Sequence, residues 1–242
     1  MRYYVAADIL GFFNEFRTAL AEAGYFADTE AHRLVLLGNL FGMGKGAAEL
    51  QAFVLERLER EEVILIRGER EEEFERRFGD KSVRSQPDIA DYHTVLQLAG
   101  YENYRRWHSS AELYAAARET PYYQKILPSM RNFYETRNHV FVHGWIPCHP
   151  TRIGLYRYEP DWRNAAKIMW DYARRTNGME AAGMAWEEKT VVCSYPCDPG
   201  NIDTGPMLRR DTGIIAIRSD PACEGKVGVL VLEDEELDVA QT

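Results

Sequence analysis

The stretch Arg2-Tyr3-Tyr4-Val5-Ala6-Ala7-Asp8-Ile9-Leu10-Gly11 decides how the rest of the chain is interpreted. Its apolar, β-favouring residues predict a first strand, which ends at an acidic residue and a glycine turn. A helical pattern of apolar residues begins directly after the glycine. This order places a carboxylate at the carboxyl end of a strand, where α/β sheets usually carry their chemistry.

The same layout of strand, glycine-containing loop and helix recurs twice more in the first 70 residues. Apolar residues at 34–37 and 63–66 predict short buried strands, and each strand leads into a loop that contains glycine. Leu50, Val54 and Leu58 share one face of the helix that is predicted after the second loop. This alternation of strands and helices predicts a sheet with helices packed against it.

The pattern changes over residues 74–136, where aromatic and charged residues are mixed. We interpret this range as mostly helices that form a cap or insertion over the sheet edge. Residues 139–147 then predict a strand that ends at a histidine and a glycine turn. Further strands at 190–193, 213–217 and 227–232 favour two sheets packed together with helices outside. We interpret all 242 residues as one domain, because no clear boundary is visible.

The composition excludes several classes of protein. A formal net charge of -9 argues against a nucleic-acid backbone or an anionic membrane as the main partner. No apolar run is long enough to span a bilayer, and the first residues lack the pattern of a secretion signal. Four irregularly spaced cysteines do not indicate a disulfide framework in a chain of this size. We therefore expect a cytoplasmic protein.

Four loops after predicted strands carry polar and glycine residues in a recognisable order, namely Asp8, Gly38-Asn39, Gly68 to Glu71 and His143-Gly144. Their order resembles that of the calcineurin-like metallophosphoesterases, in particular bacterial and phage members that are similar to serine/threonine phosphatases. That family holds two metal ions in five loops, with the patterns D-x-H-G, G-D-x-x-D-R-G, G-N-H-E, H-G and G-H-x-H. The resemblance extends from the first strand to Leu232. It implies an α+β fold in four layers, α/β/β/α, with a double β-sandwich between helices.

The resemblance also implies an activity, which is metal-dependent hydrolysis of phosphate esters of the phosphoprotein-phosphatase type. Two divalent ions (Mn, Fe, Zn or Mg) would activate the attacking water, and the partner would be a phosphate ester or a phosphoprotein. By the resemblance, Asp8 and His143 are retained metal ligands. Asn39 and Glu69 stand at two substituted ligand positions, and Arg70 stands in place of the catalytic histidine.

Further motif positions depart from the family pattern. Leu10 stands where the histidine of the first loop is expected, and Gly42 and Met43 replace the second aspartate and the arginine of the second loop. The stretch Ser194-Tyr195-Pro196-Cys197 occupies the place of the fifth motif and lacks both of its histidines. Arg218 follows a predicted strand at a point where an acidic residue is expected.

These substitutions remove ligand atoms and negative charge. Asn39 offers a neutral carbonyl where two cations need a bridging carboxylate, and Leu10 offers no ligand atom. Arg70 carries a fixed positive charge, so it cannot act as a general acid near neutrality and it opposes metal binding, although it attracts phosphate. Met43 removes a bidentate phosphate anchor.

The leading hypothesis is therefore a metallophosphoesterase-like scaffold with little or no hydrolase activity, which means a pseudoenzyme or an inactivated variant. Such a scaffold would act by binding, either a phosphorylated ligand near Arg70 and His143 or a protein partner on the aromatic cap. The rival hypothesis is an active phosphoesterase with a rearranged metal site of Asp8, Asn39, Glu69 and His143. Glu69 supports this rival, because a carboxylate is a good ligand for manganese or magnesium.

Cysteine offers another arrangement. Cys148, Cys193 and Cys197 would fall near the site and could form a mononuclear zinc centre with His143 and Asp8. The Cys-x-x-x-Cys spacing is not diagnostic, and ordinary apolar packing of these cysteines is the simpler interpretation. Ordinary roles also exist for Asp8, as a loop residue bonded to the backbone, and for His143, as a satisfied buried histidine. The chain contains no P-loop, dinucleotide or G-x-S-x-G motif.

Overall fold

Two β-sheets form the centre of this structure, a computed structural model that describes residues 1–79, 89–101, 109–150, 158–176, 189–195, 208–211 and 213–237. In chain order, the strands of the described residues are β1 Arg2–Ala6, β2 His32–Leu36, β3 Val63–Leu65, β4 Phe133–Glu135, β5 His139–Val142, β6 Cys148–Pro150, β7 Tyr158–Pro160, β8 Thr190–Tyr195, β9 Leu208–Asp211, β10 Ile214–Arg218 and β11 Val229–Glu233.

Each sheet has a parallel centre. The first sheet has the order β11-β1-β2-β3, in which β1, β2 and β3 are parallel and β11 is antiparallel to β1. The second sheet has the order β4-β5-β8-β10-β9, with β5, β8 and β10 parallel and an antiparallel strand at each edge. Strands β6 and β7 form a separate antiparallel ribbon. Parallel neighbours need crossover connections, and helices supply them in the first sheet.

The helices connect the strands and cover the sheets. They are α1 Phe13–Glu22, α2 Ala47–Glu59, α3 Glu69–Gly79, α4 Ile89–Leu98, α5 Ser110–Glu119, α6 Leu127–Ser129 and α7 Lys167–Ala173, with a 3₁₀ turn at Tyr25–Ala27 and a π-helical turn at Tyr122–Ile126. Helix α5 begins at a capping box, in which Ser109 and Glu112 satisfy each other's backbone N–H groups. None of the helices in the described part of the chain has the length and hydropathy that a membrane span needs.

The alternation of side chains along β1 divides the core into layers. Tyr3 and Val5 point toward the second sheet and pack in one buried cluster with Phe141 of β5. Tyr4 and Ala6 point the other way, into the cluster that the helices cover. Because successive residues of a strand face opposite sides, one five-residue strand contributes to two separate cores.

Helices cover both outer faces of the sandwich. Phe16 of α1, Leu50 of α2 and Val95 of α4 lie in the cluster on the outer face of the first sheet. Trp170 and Ala173 of α7 lie in the cluster on the outer face of the second sheet. The layers therefore follow the order α/β/β/α, and the predicted α+β double sandwich is confirmed.

The range 74–136, which the sequence predicts as mostly helical, contains helices up to Ser129 and then a strand. That strand, β4, pairs antiparallel with β5 at the edge of the second sheet. Phe133 and Tyr134 are residue types that favour strands. Their pairing with β5 makes this segment a strand, although the residues before it form helices. Helices α4 and α5 join the core cluster of α2 on the first sheet. Residues 80–88 and 102–108 of this range lie outside the described residues.

Asp234, directly after β11, joins the first sheet to the second. Its carboxylate accepts hydrogen bonds from Thr136 Oγ1 at 2.6 Å, Asn138 N at 2.9 Å and Asn138 Nδ2 at 2.7 Å. The same carboxylate lies 2.7 Å from His139 Nδ1. Burial opposes ionisation of Asp234, but these hydrogen bonds hold its pKa well below the usual range. The partners all lie between β4 and the start of β5, so one side chain fixes the edge of both sheets.

We expect Asp234→Asn to lower the free energy of unfolding by about 2–4 kcal/mol at pH 7, because an amide presents its own N–H groups to these donors. The folded-state pKa is depressed, so the stabilisation is present above about pH 4 and is lost as the pH falls below that value. Urea unfolding at a series of pH values should show the difference between wild type and variant shrinking in acid.

The matched control for Asp234→Asn is Glu233→Gln, one residue earlier, where the side chain is 70% exposed. Its surface pair with Arg2 should contribute less than about 1 kcal/mol. Equal losses in the two variants, or a difference that does not change with pH, would contradict the role of Asp234.

Candidate functional site

Four residues from four loops meet at the carboxyl ends of β1, β2, β3 and β5. Asn39 Nδ2 donates a hydrogen bond to Asp8 Oδ1 at 2.8 Å. Asn39 Oδ1 accepts one from the backbone N–H of Arg70 at 3.1 Å. On the other side, His143 Nε2 lies 3.7 Å from Glu69 Oε2. The structure therefore brings together the residues that the resemblance places in the metal site, Asp8, Asn39, Glu69 and His143.

The first two loops are held in an unusual backbone conformation. Asp8, Leu10 and Asn39 have φ values of 53°, 53° and 54°, in the left-handed region. Aspartate and asparagine tolerate this region, but a leucine there is strained by about 1–2 kcal/mol. Hydrogen bonds from Leu10 N to Asn39 O and from Gly44 N to Leu10 O, at 3.0 and 2.8 Å, hold the conformation. Strain of this kind is concentrated at functional sites in proteins.

The second and third loops approach each other closely enough to require glycine. A Cβ on Gly38 would lie 2.4 Å from the backbone N of Gly68, and a Cβ on Gly68 would lie 2.7 Å from the backbone N of Asn39. Any side chain at either position would push the loops apart. Close contact is what allows the Asn39 amide to reach both Asp8 and the start of α3.

Glu71 fixes the same loops from inside the protein. Its fully buried carboxylate accepts hydrogen bonds from the backbone N–H groups of Asn39 at 2.8 Å, Leu40 at 2.8 Å and Gly68 at 2.9 Å. The sequence identifies Glu71 as a motif match but does not reveal this bonding. The only sequence signal is its position three residues after Gly68, at the start of a predicted helix.

His143 has a defined orientation. Its Nδ1 lies against the carbonyl oxygen of Leu37, which can only accept, so Nδ1 carries a hydrogen and donates. Ser194 Oγ lies 3.2 Å from the same nitrogen and accepts from Gly144 N at 3.2 Å. The other nitrogen, Nε2, consequently faces Glu69 and the site. The sequence does not reveal these roles, because Leu37 reaches His143 from the first sheet and Ser194 reaches it from the neighbouring strand β8.

The site contains an ion pair between the buried His143 and the partly exposed Glu69, and beside it the incompletely satisfied carboxylate of Asp8. Burial alone would lower the pKa of His143, but Glu69 and Asp8 raise it above its ordinary value. The pKa of Glu69 is lowered, chiefly by His143. Burial raises the pKa of Asp8 to about 6. Its Oδ2 atom is buried and forms no hydrogen bond with the described residues.

Two substituted side chains crowd the second loop. A Cβ on Gly42 would lie 3.3 Å from Leu10 Cδ2 and 3.5 Å from Arg70 Nη1. Leu10 and Arg70 therefore both border the point where the family has its second aspartate. Within the described ranges, the guanidinium of Arg70 forms no ion pair.

Cys148 and Cys193 pack as apolar residues in the core. Cys193 is fully buried in the apolar cluster under α7, where burial raises its pKa to about 12. Cys148 packs against the same cluster, and burial raises its pKa to about 11. Because Cys193 and Ser194 are neighbours on β8, they face opposite sides, and it is Ser194 that faces His143. The described residues thus do not form the predicted zinc arrangement with Cys193, and Cys197 lies outside them.

The strand-end position Arg218 has an internal role. It is buried, and its Nη2 lies 2.6 Å from Glu224 Oε1 and 3.5 Å from Asp220 Oδ2. Tyr195 is the last residue of β8, and Pro196 lies outside the described residues. Of the four residues at the place of the fifth motif, Pro196 and Cys197 therefore lie outside the described residues.

The residues of the site do not fit a two-metal centre. The Asn39 amide hydrogen points at Asp8 where a shared metal would need a carboxylate, and Leu10 supplies no ligand atom. Among the residues with described positions, no three His, Cys, Asp or Glu side chains are grouped so that they could hold a metal ion. The one observation that favours a cation is the unpartnered Asp8 Oδ2 atom.

Comparisons with known proteins support the fold. No protein-family model and no curated protein matches the chain. Solved structures do match it. A structure provisionally named as a diadenosine tetraphosphatase shares 15% identity at a TM-score of 0.51, over 96% of this chain and 89% of that one.

A second solved structure is a protein serine/threonine phosphatase from Saccharomyces cerevisiae with similarity to human phosphatase PP5. It shares 12% identity at a TM-score of 0.50, over 98% of this chain and 81% of that one. A metallophosphoesterase from Sphaerobacter thermophilus shares 15% identity at a TM-score of 0.42. Identities this low show the fold and not the chemistry. The chain therefore shares the fold of the first two structures.

Proposed function

We propose that this chain is a metallophosphoesterase-like scaffold that does not hydrolyse phosphate esters by the two-metal mechanism. The hydrogen bond from Asn39 Nδ2 to Asp8 Oδ1, at 2.8 Å, is the observation that carries this proposal. Two adjacent divalent ions repel each other, and a bridging carboxylate offsets that repulsion. An amide that donates a hydrogen to the neighbouring ligand cannot take this role.

The ion pair of His143 and Glu69 supports the same conclusion. A metal-bound imidazole must be neutral at the coordinating nitrogen, so a metal has to displace a proton. Glu69 and Asp8 raise the pKa of His143 and thereby oppose that displacement. The fixed charge of Arg70 also disfavours a nearby cation.

The function that remains for this site is binding. Arg70 has a guanidinium that forms no ion pair with the described residues, and His143 is biased toward its charged form. The Arg70 guanidinium is suited to a phosphate, because charge-assisted hydrogen bonds to phosphate are among the strongest in proteins. His143 adds positive charge to the site, although its Nε2 already faces Glu69. We infer that the ligand is a phosphate ester or a phosphoprotein that is held without being cleaved.

A second candidate function is phosphoester hydrolysis with a rearranged site and a single divalent ion. The buried, unpartnered Asp8 Oδ2 atom favours it, because a cation there would satisfy the carboxylate. Glu69 and His143 are close enough to contribute, with Asn39 as a neutral donor. Manganese and magnesium suit oxygen-rich ligand sets of this kind.

A metal and turnover assay separates the two candidates. Wild-type protein equilibrated with Mn²⁺ should retain less than one ion per chain. Its turnover of 4-nitrophenyl phosphate should match that of Asp8→Asn within about twofold, a barrier difference of ~0.4 kcal/mol. Glu233→Gln removes an exposed carboxylate far from the site and serves as the control. One bound ion with turnover that Asp8→Asn abolishes and Glu233→Gln preserves would establish the single-ion enzyme instead.

Restoring the bridging carboxylate tests the role of Asn39. We expect Asn39→Asp to gain stabilisation by Mn²⁺ that wild type lacks, reaching ~2.7 kcal/mol at an ion concentration of about 100 times the Kd. Aspartate tolerates the φ of 54° at this position, so the backbone need not change. The measurement is the thermal unfolding midpoint with and without Mn²⁺. Asn14→Asp, at an exposed position, is the control, and equal Mn²⁺ stabilisation of wild type and Asn39→Asp would refute the argument.

A further inference from the structure

An apolar groove lies beside the site, between the loop after β2 and helix α4. It encloses about 650 Å³ and is lined by Gly42, Met43, Lys45, Ile89, Ala90, His93 and Gln97. Two of its apolar side chains are open to solvent, since Met43 is 58% exposed and Ile89 is 79% exposed. A concave apolar surface of this size, next to polar groups, is typical of small-molecule sites.

Hydrogen bonds fix the two walls of the groove against each other. Thr94 Oγ1 donates to the carbonyl oxygen of Gly42 at 2.8 Å. Gln97 Nε2 donates to the carbonyl oxygen of Gly44 at 3.1 Å, and Gln97 Oε1 accepts from Ala47 N at 3.1 Å. The groove is therefore formed before any ligand arrives, which reduces the entropy lost on binding.

Two cations that form no ion pair with a described residue lie at or next to the groove, Lys45 in its lining and Arg70 in an adjoining small hollow. The adjoining hollow shares Gly42 with the groove, and Arg70 Nη1 lies 3.5 Å from the point that a Cβ on Gly42 would occupy; Glu73 and Asp91 line the same hollow. Lys45 lines the groove and forms no ion pair with a described residue, although Glu15 and Glu49 line the adjoining hollow. Unpaired cations at an apolar groove are complementary to an anion with an apolar body, in a chain whose net charge is -9.

We propose that this groove binds the aromatic group of an aryl phosphate monoester whose phosphate pairs with Arg70, without a metal ion. The inference rests on the proposed binding function and names its ligand class. The volume lies within the range of small-molecule sites, about 300–1,000 Å³. Met43, where the family has an arginine, offers a thioether that packs well against aromatic rings, and Ile89 offers a second apolar contact. The guanidinium of Arg70 offers two parallel N–H groups that can donate hydrogen bonds to two phosphate oxygens.

The test measures binding of 1-naphthyl phosphate in EDTA by the fluorescence of the naphthyl group. We expect inorganic phosphate and 1-naphthol each to bind at least ~10-fold more weakly than the ester, because each lacks one half of the contacts. Arg70→Gln should weaken ester binding ~10-fold or more through loss of a charged hydrogen bond. Ile89→Ser should weaken it by ~5-fold through loss of apolar contact.

The matched control is Ile168→Ser on α7, because Ile168 is 77% exposed and lies outside the groove. Its affinity for the ester should equal that of wild type. Circular dichroism verifies the fold of every variant.

Two kinds of failure can be told apart. The groove proposal is overturned if Arg70→Gln and Ile89→Ser bind the ester like wild type, if Ile168→Ser weakens binding as much as Ile89→Ser does, or if inorganic phosphate binds as tightly as the ester. None of these results affects the proposed loss of hydrolysis. Mn²⁺-dependent cleavage of 1-naphthyl phosphate that Asp8→Asn abolishes overturns the proposed non-hydrolytic function instead, together with the metal-free binding that rests on it.

Discussion

The loops of the site depend on the buried carboxylate of Glu71, on which three backbone N–H groups converge. Two of these groups belong to the loop after β2 and one to the loop after β3. A buried anion is stable only when it is compensated, and here the compensation comes from the backbone and not from a cation. The arrangement needs no metal ion to hold the loops together.

That independence allows the loops to hold their shape although Leu10, Asn39 and Arg70 depart from the motif pattern that the chain resembles. Gly38 and Gly68 approach each other closely, and the backbone at Asp8 and Asn39 is left-handed. Even Leu10 adopts the left-handed conformation, although a leucine is strained there. The backbone hydrogen bonds of Leu10 with Asn39 and Gly44 hold the left-handed conformation at this position, whichever side chain is present. The departures fall on the side chains that face the site, whereas the groups that shape the loops remain.

Much of the fold can be predicted from the sequence, because buried side chains recur every second residue in a strand and about every 3.6 residues in a helix. Alternating residues of β1 and the apolar runs at β2 and β3 identify the strands, and strand ends identify where Asp8, Asn39 and Glu69 meet. The sequence does not predict contacts between distant elements, such as the carbonyl of Leu37 that orients His143 across the two sheets. Strand β4 is not predicted for the same reason, because residues 133–135 become a strand by pairing with β5, which is a contact between segments. The groove likewise depends on hydrogen bonds between α4 and a loop about fifty residues earlier.

Charge balance connects the altered residues to one another. The site contains two carboxylates, Asp8 and Glu69, and two groups that carry or favour positive charge, Arg70 and His143. A dinuclear centre would add about four positive charges to this set and would require more carboxylate, not less. With asparagine at position 39, that carboxylate is missing, and with arginine at position 70 a cation is already in place. The two substitutions therefore change the charge of the site in the same direction: one removes a carboxylate, the other adds a cation, and together they leave a site suited to a ligand that brings its own negative charge.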